Sequence, residues 1–254
     1  LFTEAARRAY ADRNYYLGDP DFTEIPLDVL LGKAYLENRM ADFSLEKATK
    51  SSDISEGSVQ MEESMETTHY SIVDAQGNAV SVTTTLNGAY GSKLYSDELG
   101  FFLNNEMDDF SAKPGTPNGY GLIGGEANAI EPNKRPLSSM TPVMVFKDGK
   151  LKLLTGSPGG SRIITAVLQI ISNVIDHDMN IASATHTPRF HHQWLPDVLF
   201  VERELNQDTV ELLEGMGYKV KRSSTIGATQ SIQVEDYIYG SADPRRPNAE
   251  AAGY

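Results

Sequence analysis

The alternation of apolar and polar side chains along the chain predicts two β-hairpins. Residues 68–73 and 79–86 alternate and are rich in Val and Thr, and a Gly77-Asn78 turn lies between them. Residues 142–146 and 151–154 flank the turn-forming Asp148-Gly149-Lys150 in the same way. Extended segments joined by a short glycine-containing turn are typical of antiparallel hairpins, so each pair predicts one hairpin.

Helical spacing is clearest over residues 163–175, where Ile and Val recur every three or four positions. A shorter helix is predicted over 208–216, where Gly217 ends it. The first 43 residues also predict helices, among them one over 25–40, with a break at Leu17-Gly18-Asp19-Pro20. Further strands are predicted over 219–222 and 231–235. This mixture of hairpins and helices predicts an α+β fold in which sheets are covered by helices.

Residues 44–66 interrupt the pattern. Ser44-Leu45-Glu46-Lys47 predicts the start of a short helix, and residues 50–66 are dominated by Ser, Glu, Met and Gly. Such a composition buries little apolar surface and predicts a flexible linker, the kind of segment in which chains are cut. We therefore divide the chain into residues 1–66 and residues 67–254.

Composition narrows the function classes. The 254 residues include 22 Lys and Arg against 35 Asp and Glu, a net charge of -13, and so acidic a surface repels the phosphates of nucleic acids. No segment approaches the ~20 apolar residues that cross a bilayer. Cysteine is absent, which excludes thiol catalysis, disulfides and thiolate zinc sites within the chain. His186, His191 and His192 lack the ligand spacing of a zinc site and are interpreted as structural.

The first residues do not have the pattern of a leader. Leu1-Phe2-Thr3-Glu4 does not resemble a signal peptide, and residues 4–13 have the pattern of a helix already under way. We expect the chain to begin inside a longer polypeptide, with any targeting signal upstream.

Thr67, where the predicted linker meets the first strand, is a candidate nucleophile. A hydroxyl is a weak nucleophile without a base beside it. If the chain is cut between Glu66 and Thr67, the new α-amine has an ordinary pKa of about 7.7–8.0 and can accept the hydroxyl proton near neutral pH. In isolation a threonine in a strand is more often a solvent-facing β residue, so the assignment depends on the rest of the sequence.

Motifs along the whole chain resemble, in order, those of the γ-glutamyltranspeptidase family. Residues 1–66 are similar to the end of that family's large subunit, and residues 67–254 are similar to its small subunit. The matching segments include Thr67-Thr68-His69-Tyr70-Ser71, Gly156-Ser157-Pro158-Gly159-Gly160-Ser161 and residues 11–13, 17–20, 85–87, 104–110, 132–140, 188–193 and 243–254. The resemblance implies the four-layer αββα sandwich of N-terminal-nucleophile hydrolases, which is an α+β fold.

The resemblance implies roles for the catalytic residues. Thr67 would attack the γ-carbonyl of the donor and carry the γ-glutamyl group as an ester, while the Thr85 hydroxyl hydrogen-bonds the nucleophile. Gly159 and Gly160 would donate backbone N–H groups to the tetrahedral oxyanion. Without the resemblance these glycines are typical of a turn, and a phosphate loop is disfavoured because no Gly-Lys-Ser/Thr follows.

A zwitterionic donor needs partners for both its charges. By resemblance Asn87, Glu106 and Asp109 hold the α-ammonium group, and Ser138 and Ser139 donate to the α-carboxylate. The family also binds this carboxylate with an arginine from the early large subunit, and no arginine in residues 1–66 matches that motif.

Tyr120 lies in a segment rich in Pro, Gly and Asn, residues 114–125, which is typical of a mobile surface loop. It matches the aromatic residue of a lid that closes onto Asn87 in some family members. A buried aromatic anchor is the alternative interpretation.

The implied activity is γ-glutamyl transfer from glutathione or similar donors to water, amino acids or peptides, after self-cleavage before Thr67. It needs no cofactor or metal, and the family's members are periplasmic or secreted. The remaining large-subunit segment would complete the site.

Three alternatives stay open: a glutaryl or cephalosporin acylase, a poly-γ-glutamate-processing relative, and an inactive truncated fragment or binding module. The pair Glu106 and Asp109 argues against the acylase, whose substrate has no ammonium group. The lid-like segment argues mildly against the second alternative, and the intact Thr67, Thr85 and glycines argue against an inactive parent.

Overall fold

The computed structural model describes residues 1–54, 67–111, 113 and 125–253. The α-helices of these ranges are α1 (Phe2–Tyr16), α2 (Leu27–Leu30), α3 (Lys33–Arg39), α4 (Arg162–Ile175), α5 (Ile181–His186) and α6 (Gln207–Gly215). The strands are β1 (Thr67–Val73), β2 (Ala79–Thr85), β3 (Tyr95–Ser96), β4 (Phe101–Phe102), β5 (Val143–Lys147), β6 (Lys150–Thr155), β7 (Phe190–His191), β8 (Leu199–Glu202), β9 (Val220–Ser223), β10 (Gln230–Val234) and β11 (Ile238–Ala242).

The centre of the fold is a stack of two sheets. Strands β1 and β2 form the predicted first hairpin, and the predicted second hairpin, β5 and β6, continues into a four-stranded sheet of order β11-β10-β6-β5. One face of the β1–β2 hairpin packs on β6 and β10, and helices α4 and α5 pack on the other side of the four-stranded sheet. These elements give three successive layers of strand, strand and helix.

Helix α4 supplies most of the core of this stack. Its apolar stripe buries Ile170 and Val174 against Leu153 of β6 and against Ile181 and Ala184 of α5. Leu153, Ile170 and Ala184 are fully inaccessible to solvent. The predicted helix over 163–175 is therefore confirmed, and it places its first turn directly after the glycine-rich segment 156–161.

A third sheet lies beside this stack. Strand β8 pairs with β7 antiparallel and with β9 parallel, and helix α6 connects β8 to β9. Leu199 and Val201 of β8 bury Val210 of α6, which is the packing expected of a strand–helix–strand unit.

Helix α1 is anchored by buried charges in addition to the apolar contacts of Tyr10 and Ala11 with Ile54 and Trp194. Glu4, Arg7 and Arg8 are all buried. Arg8 donates to the Glu4 carboxylate at 2.7 Å and to Asp42 at 2.6 Å, while Arg7 pairs with Asp197. Because a buried charge is tolerated when it is paired and hydrogen-bonded, these contacts fix the position of α1 and of the side chains in its last turn.

Two predictions in the first 54 residues are wrong in detail. Residues 25–40 form the two short helices α2 and α3 instead of one, and Ser44 does not begin a helix. The Ser44 hydroxyl accepts from the Glu46 N–H at 3.1 Å, a side-chain turn that competes with helix formation.

The early part of the predicted linker is held in place. The Ala48 N–H donates to the Met216 carbonyl at 2.8 Å, and the Trp194 indole donates to the Ile54 carbonyl at 2.9 Å. Ser51 and Ile54 are buried. Residues 55–66, the part predicted to be cut, lie outside the described residues.

The other predicted helices and strands are present with ends shifted by one to three residues. Helix α5 and strands β3, β4, β7, β8 and β11 were not predicted from the sequence, because each is short and lacks a clear period. In the ranges given above, no helix is long and apolar enough to cross a membrane.

Candidate active site

The register of the first hairpin brings two threonines face to face. Thr67 opens β1 and is the cross-strand partner of Thr85, which ends β2. The Thr67 hydroxyl donates to the Thr85 hydroxyl oxygen at 3.3 Å, and Thr67 is only 6% exposed. Thr85 thus lies opposite the start of the first strand.

His69 fixes strand β1 against the glycine-rich segment. Its side chain lies on the same face of β1 as Thr67, with Nδ1 2.8 Å from the Thr83 hydroxyl and Nε2 3.1 Å from the Ser71 hydroxyl. Burial lowers the pKa of His69 to about 4, so the ring is neutral at pH 7. A Cβ at Gly156 would lie 2.2 Å from this ring, so no residue larger than glycine fits there.

The glycine-rich segment leads from β6 to the N-terminus of α4. Gly159 and Gly160 have φ angles of +134° and +54°, which favour glycine. The Ser157 hydroxyl accepts from the Ala228 N–H at 2.9 Å and so pins the turn. The first N–H groups of a helix have no partner within the helix and attract negative charge, which makes this segment a suitable oxyanion donor.

Asn87 turns the chain away from the hairpin. It has a φ of 70°, a left-handed conformation that Asn tolerates better than most residues. Its N–H donates to the Thr85 hydroxyl oxygen at 2.8 Å, and its Nδ2 donates to the Asn105 carbonyl at 3.0 Å. Asn87 thus connects the Thr85 hydroxyl to the segment that carries the acidic residues.

Glu106 and Asp109 lie at the two ends of a 3-10 helix, Glu106–Asp109, and both are half-buried. Burial, followed by the nearby charge of Glu106, raises the pKa of Asp109 to about 7, against the opposing effect of Arg13. Burial also raises the pKa of Glu106. Two such carboxyl groups side by side favour binding of a cation.

Ser138 and Ser139 lie on a segment that is hydrogen-bonded to the loop after α1. Asp19 accepts from the backbone N–H of Arg135 at 2.8 Å and from its Nε at 2.9 Å. Two residues later, the Leu137 N–H donates to Asn128 Oδ1 at 2.9 Å. These contacts fix the segment that carries the two serines, which line the same cavity as Thr67 and Thr85.

Arg13 is a site residue that sequence reasoning missed. It is in the last turn of α1 and its Nη2 donates to the Ser139 hydroxyl oxygen at 3.0 Å. Burial lowers the pKa of Arg13, although a guanidinium stays protonated in proteins. Arg13 is within residues 11–13, which resemble the family's sequence, and this resemblance could have indicated a role. It did not, because a basic residue in the last turn of a helix is expected on electrostatic grounds alone.

One cavity collects most of the predicted residues. Of those predicted from the sequence, Thr67, Thr85, Asn87, Asp109, Ser138, Ser139 and Gly160 line it, and it is completed by Arg13, Asn14, Phe110, Ser111, Asn128, Leu137, Met140, Ser161 and Ile163. Gly159 and Glu106 are not in its lining, although Glu106 interacts with Asp109. Tyr120 lies outside the described residues.

Two buried oxygens in the cavity wall lack a hydrogen bond. Asn14 Oδ1 and Ser111 Oγ have no partner within the described parts of the chain, and both residues are at most 6% exposed. A buried polar atom without a partner is costly, so a polar ligand or ordered water would be stabilised beside them.

The histidines make contacts of a structural kind. His191 is buried between the Thr165 hydroxyl, 2.7 Å from Nδ1, and Gln193 Oε1, 2.8 Å from Nε2. Burial lowers its pKa to about 3. His192 Nε2 lies 3.4 Å from Asp197. Among the residues that the model describes, no group of three or more His, Asp and Glu side chains could hold a metal ion.

The sequence of the chain was compared with known protein families and relatives. The family model for γ-glutamyltranspeptidase matches residues 1–253. The glutathione hydrolase proenzyme of Escherichia coli (strain K12) is 55% identical over 256 aligned positions, which cover 100% of this chain and 44% of that protein. The chain therefore spans less than half the length of this relative.

Solved structures and more distant relatives are consistent with this family match. A crystal structure of a mutant Helicobacter pylori γ-glutamyltranspeptidase has a TM-score of 0.69 and 57% identity, and the match covers 70% of this chain and 100% of that one. An acylase ACY 1 proenzyme of Pseudomonas sp. (strain V22) is 36% identical over 89% of this chain and 38% of its own length. The α+β fold is thus the four-layer αββα sandwich of N-terminal-nucleophile hydrolases, and the chain belongs to the γ-glutamyltranspeptidase family.

Proposed function

We propose that this chain carries the catalytic half of an enzyme that transfers γ-glutamyl groups from glutathione or similar donors to water or to an amino acid or peptide. The observation that carries the proposal is the shared cavity. Its lining combines a threonine pair with an acidic side chain that would hold an ammonium group and with two serine hydroxyls that would bind a carboxylate. The names of the family's relatives support the same activity.

The chemical step uses the start of β1. After cleavage between Glu66 and Thr67, the Thr67 amine takes the hydroxyl proton while Oγ forms a bond to the γ-carbonyl carbon. The oxyanion that develops is stabilised by N–H groups of Gly159 and Gly160, an effect typically worth about 2.7–4 kcal/mol for one donor. Collapse breaks the C–N bond, the leaving amine takes the proton, and the γ-glutamyl group remains as an ester. Attack by water or an acceptor amine then releases Thr67.

Recognition of the donor's charged groups would use the acidic and serine side chains of the cavity. Asp109, assisted by Glu106 and by the Asn87 side-chain oxygen, would hold the α-ammonium group, and Ser138 and Ser139 would donate to the α-carboxylate. Tyr120 would close the site as part of a lid. A charged hydrogen bond of this kind is worth roughly 1.5–3 kcal/mol.

Maturation is part of the proposal. Residues 1–66 would form the end of a large subunit and residues 67–254 the small subunit, separated when Thr67 attacks the carbonyl of Glu66 and water opens the resulting ester. The rest of the large subunit would complete the substrate site, and the enzyme would act in the periplasm or outside the cell. No cofactor takes part in these steps.

The acylase alternative is favoured by one observation, the 36% identity to an acylase proenzyme. A glutaryl side chain carries neither the ammonium group nor the second carboxylate at its α-carbon. A half-buried Asp109 with a raised pKa beside Glu106 would then face an uncharged methylene, at an energetic cost. The γ-glutamyl donor gives that carboxylate a partner.

One experiment tests the proposal and its rival. The protein, expressed from its complete gene, is analysed by mass spectrometry and then assayed with matched γ-glutamyl and glutaryl anilides. We expect two chains divided between Glu66 and Thr67 and release of aniline from the γ-glutamyl donor. An uncut chain, or turnover of the glutaryl donor alone, would contradict the proposal.

A further inference from the structure

We infer that Arg13 is a positioning residue of the γ-glutamyl site, connecting the hydroxyl that receives the substrate carboxylate with the carboxylate that receives the substrate ammonium. The inference rests on the proposed function. It goes beyond it because it assigns the end of α1, far from the nucleophile in sequence, a part in substrate affinity and in its pH dependence.

The first observation is the contact with Ser139. Arg13 Nη2 donates to Ser139 Oγ at 3.0 Å across 126 residues of sequence. A serine hydroxyl has one hydrogen to donate and two lone pairs to accept with. Since the guanidinium can only donate, it occupies a lone pair and leaves the Ser139 hydrogen for an anionic ligand. Arg13 thereby fixes Ser139 as a donor.

The second observation is the charge balance at Asp109. Arg13 and Asp109 line the same cavity, and the Arg13 charge lowers the pKa of Asp109, while burial and then Glu106 raise it. An ammonium group binds to the ionised form of Asp109. Arg13 therefore keeps a larger fraction of Asp109 ready for the substrate near neutral pH.

The third observation is that Arg13 is held in a fixed place. Its helix is anchored by the buried pairs of Glu4 with Arg8 and of Arg7 with Asp197. The segment that follows the same helix is fixed to the serine segment, because Asp19 pairs with Arg135. A planar guanidinium on such a support keeps its direction.

The groups that face Asp109 and Arg13 define the pH dependence. On the short 3-10 helix they are Glu106 and Asp108, and on α1 they are Arg13 and, next to it, Tyr10. Across the cavity the Thr67 amine of the cut chain is a further titratable group. A binding measurement that needs no turnover separates Asp109 from this amine as the source of any change.

The test measures binding of L-glutamate, the product of hydrolysis, by calorimetry between about pH 5.5 and 8.5, a range that brackets the pKa of about 7 of Asp109. It uses the protein expressed from its complete gene and its Arg13→Gln and Arg13→Lys variants. Arg39→Gln is the matched control, because Arg39 pairs with Asp12 beside Arg13 and does not line the cavity. kcat and KM for a γ-glutamyl anilide are measured in parallel.

For Arg13→Lys, which keeps the charge but not the planar fork, we expect KM to rise roughly 10-fold with little change in kcat. The pH at which binding is half-maximal should stay in place. For Arg13→Gln that midpoint should move to higher pH by roughly one unit, since the opposite charge beside Asp109 is lost. Arg39→Gln should resemble the wild type in both respects.

Other outcomes overturn the inference. A uniform loss at every pH in both Arg13 variants would give Arg13 a structural role alone, and so would a midpoint unchanged in Arg13→Gln. If Arg13→Gln does not fold, an Arg13→Lys variant with wild-type KM is sufficient to reject the role. A wild-type protein that binds L-glutamate but lacks γ-glutamyl activity contradicts the proposed function and not this inference.

Discussion

Two walls of the cavity differ: the wall formed by Thr67 and Thr85 is local and neutral, whereas the wall formed by Arg13, Asp109 and Ser139 is assembled from distant segments and is charged. On the first wall, Thr67 and Thr85 are partners in a single seven-residue register. On the second, Arg13, Asp109 and Ser139 come from three regions joined by contacts such as the one between Arg13 and Ser139, 126 residues apart.

This difference separates two requirements of the reaction. A hairpin register sets the distance between two hydroxyls with little dependence on the rest of the molecule. Paired charges, in contrast, respond to burial, to their neighbours and to pH. We therefore expect substitutions in the first wall to abolish activity at every pH. Substitutions in the second wall should change substrate affinity, substrate specificity and the pH dependence of binding.

The largest expected effect is at Thr67. Thr67→Ala should leave one uncut chain with no γ-glutamyl activity, because both the nucleophile and the self-cleavage step are lost. Thr67→Ser keeps a hydroxyl and should still be cut, although more slowly. Mass spectrometry of the purified variants reports the cleavage. A Thr67→Ala protein that divides before residue 67 would show that self-processing is not the route.

A smaller effect is expected at Asp109. Asp109→Asn keeps the shape of the side chain and removes its charge, so with a γ-glutamyl donor we expect a loss in kcat/KM of roughly 10- to 150-fold. With a glutaryl donor, which has no ammonium group, the rate should change little or rise.

Asp108→Asn is the matched control for this comparison. Asp108 is the exposed neighbour, accepts from Asn105 at 2.9 Å and is outside the cavity lining. Equal losses on both donors in Asp109→Asn would mean that Asp109 supports the fold, and the assignment of the ammonium site would be wrong.

The smallest effect concerns the pH profile and Glu106. Because the pKa of Asp109 is raised to about 7 and an ammonium group needs the ionised form, donor affinity should increase as pH rises through that value. Glu106→Gln removes a neighbouring negative charge, which lowers the pKa of Asp109 and moves this rise to lower pH. Affinity at high pH should fall only a few-fold, since one carboxylate remains. An unmoved profile would show that the two carboxyl groups titrate independently.

Much of the first wall could be predicted from the sequence. The alternation in residues 68–73 and 79–86 and the turn between them predict the hairpin and which of its side chains share a face. The contact between Thr67 and Thr85 was implied by the family resemblance and is consistent with this hairpin. The long helix after the glycines is equally clear, because a continuous apolar stripe over 163–175 has one interpretation. Both predictions are confirmed.

The second wall could not be predicted in the same way. Arg13 has the properties of any basic residue in a last helical turn, and nothing local indicates that it reaches Ser139. The prediction that Ser44 starts a helix is wrong. The Ser44 hydroxyl accepts from the Glu46 N–H, and the Ala48 N–H donates to the Met216 carbonyl in the turn after α6. These outcomes depend on tertiary contacts that sequence propensities do not contain.

The position of Thr67 as the first paired residue of β1 has a consequence for the proposed cut between Glu66 and Thr67. A newly made chain end normally frays, since the first residues of a segment have few contacts. Here the new end would retain its strand partner Thr85, a hydroxyl contact at 3.3 Å and a histidine two residues along that locks the strand to the glycine segment. Its conformational freedom is therefore lost once, when the protein folds, and does not have to be lost again each time a donor binds.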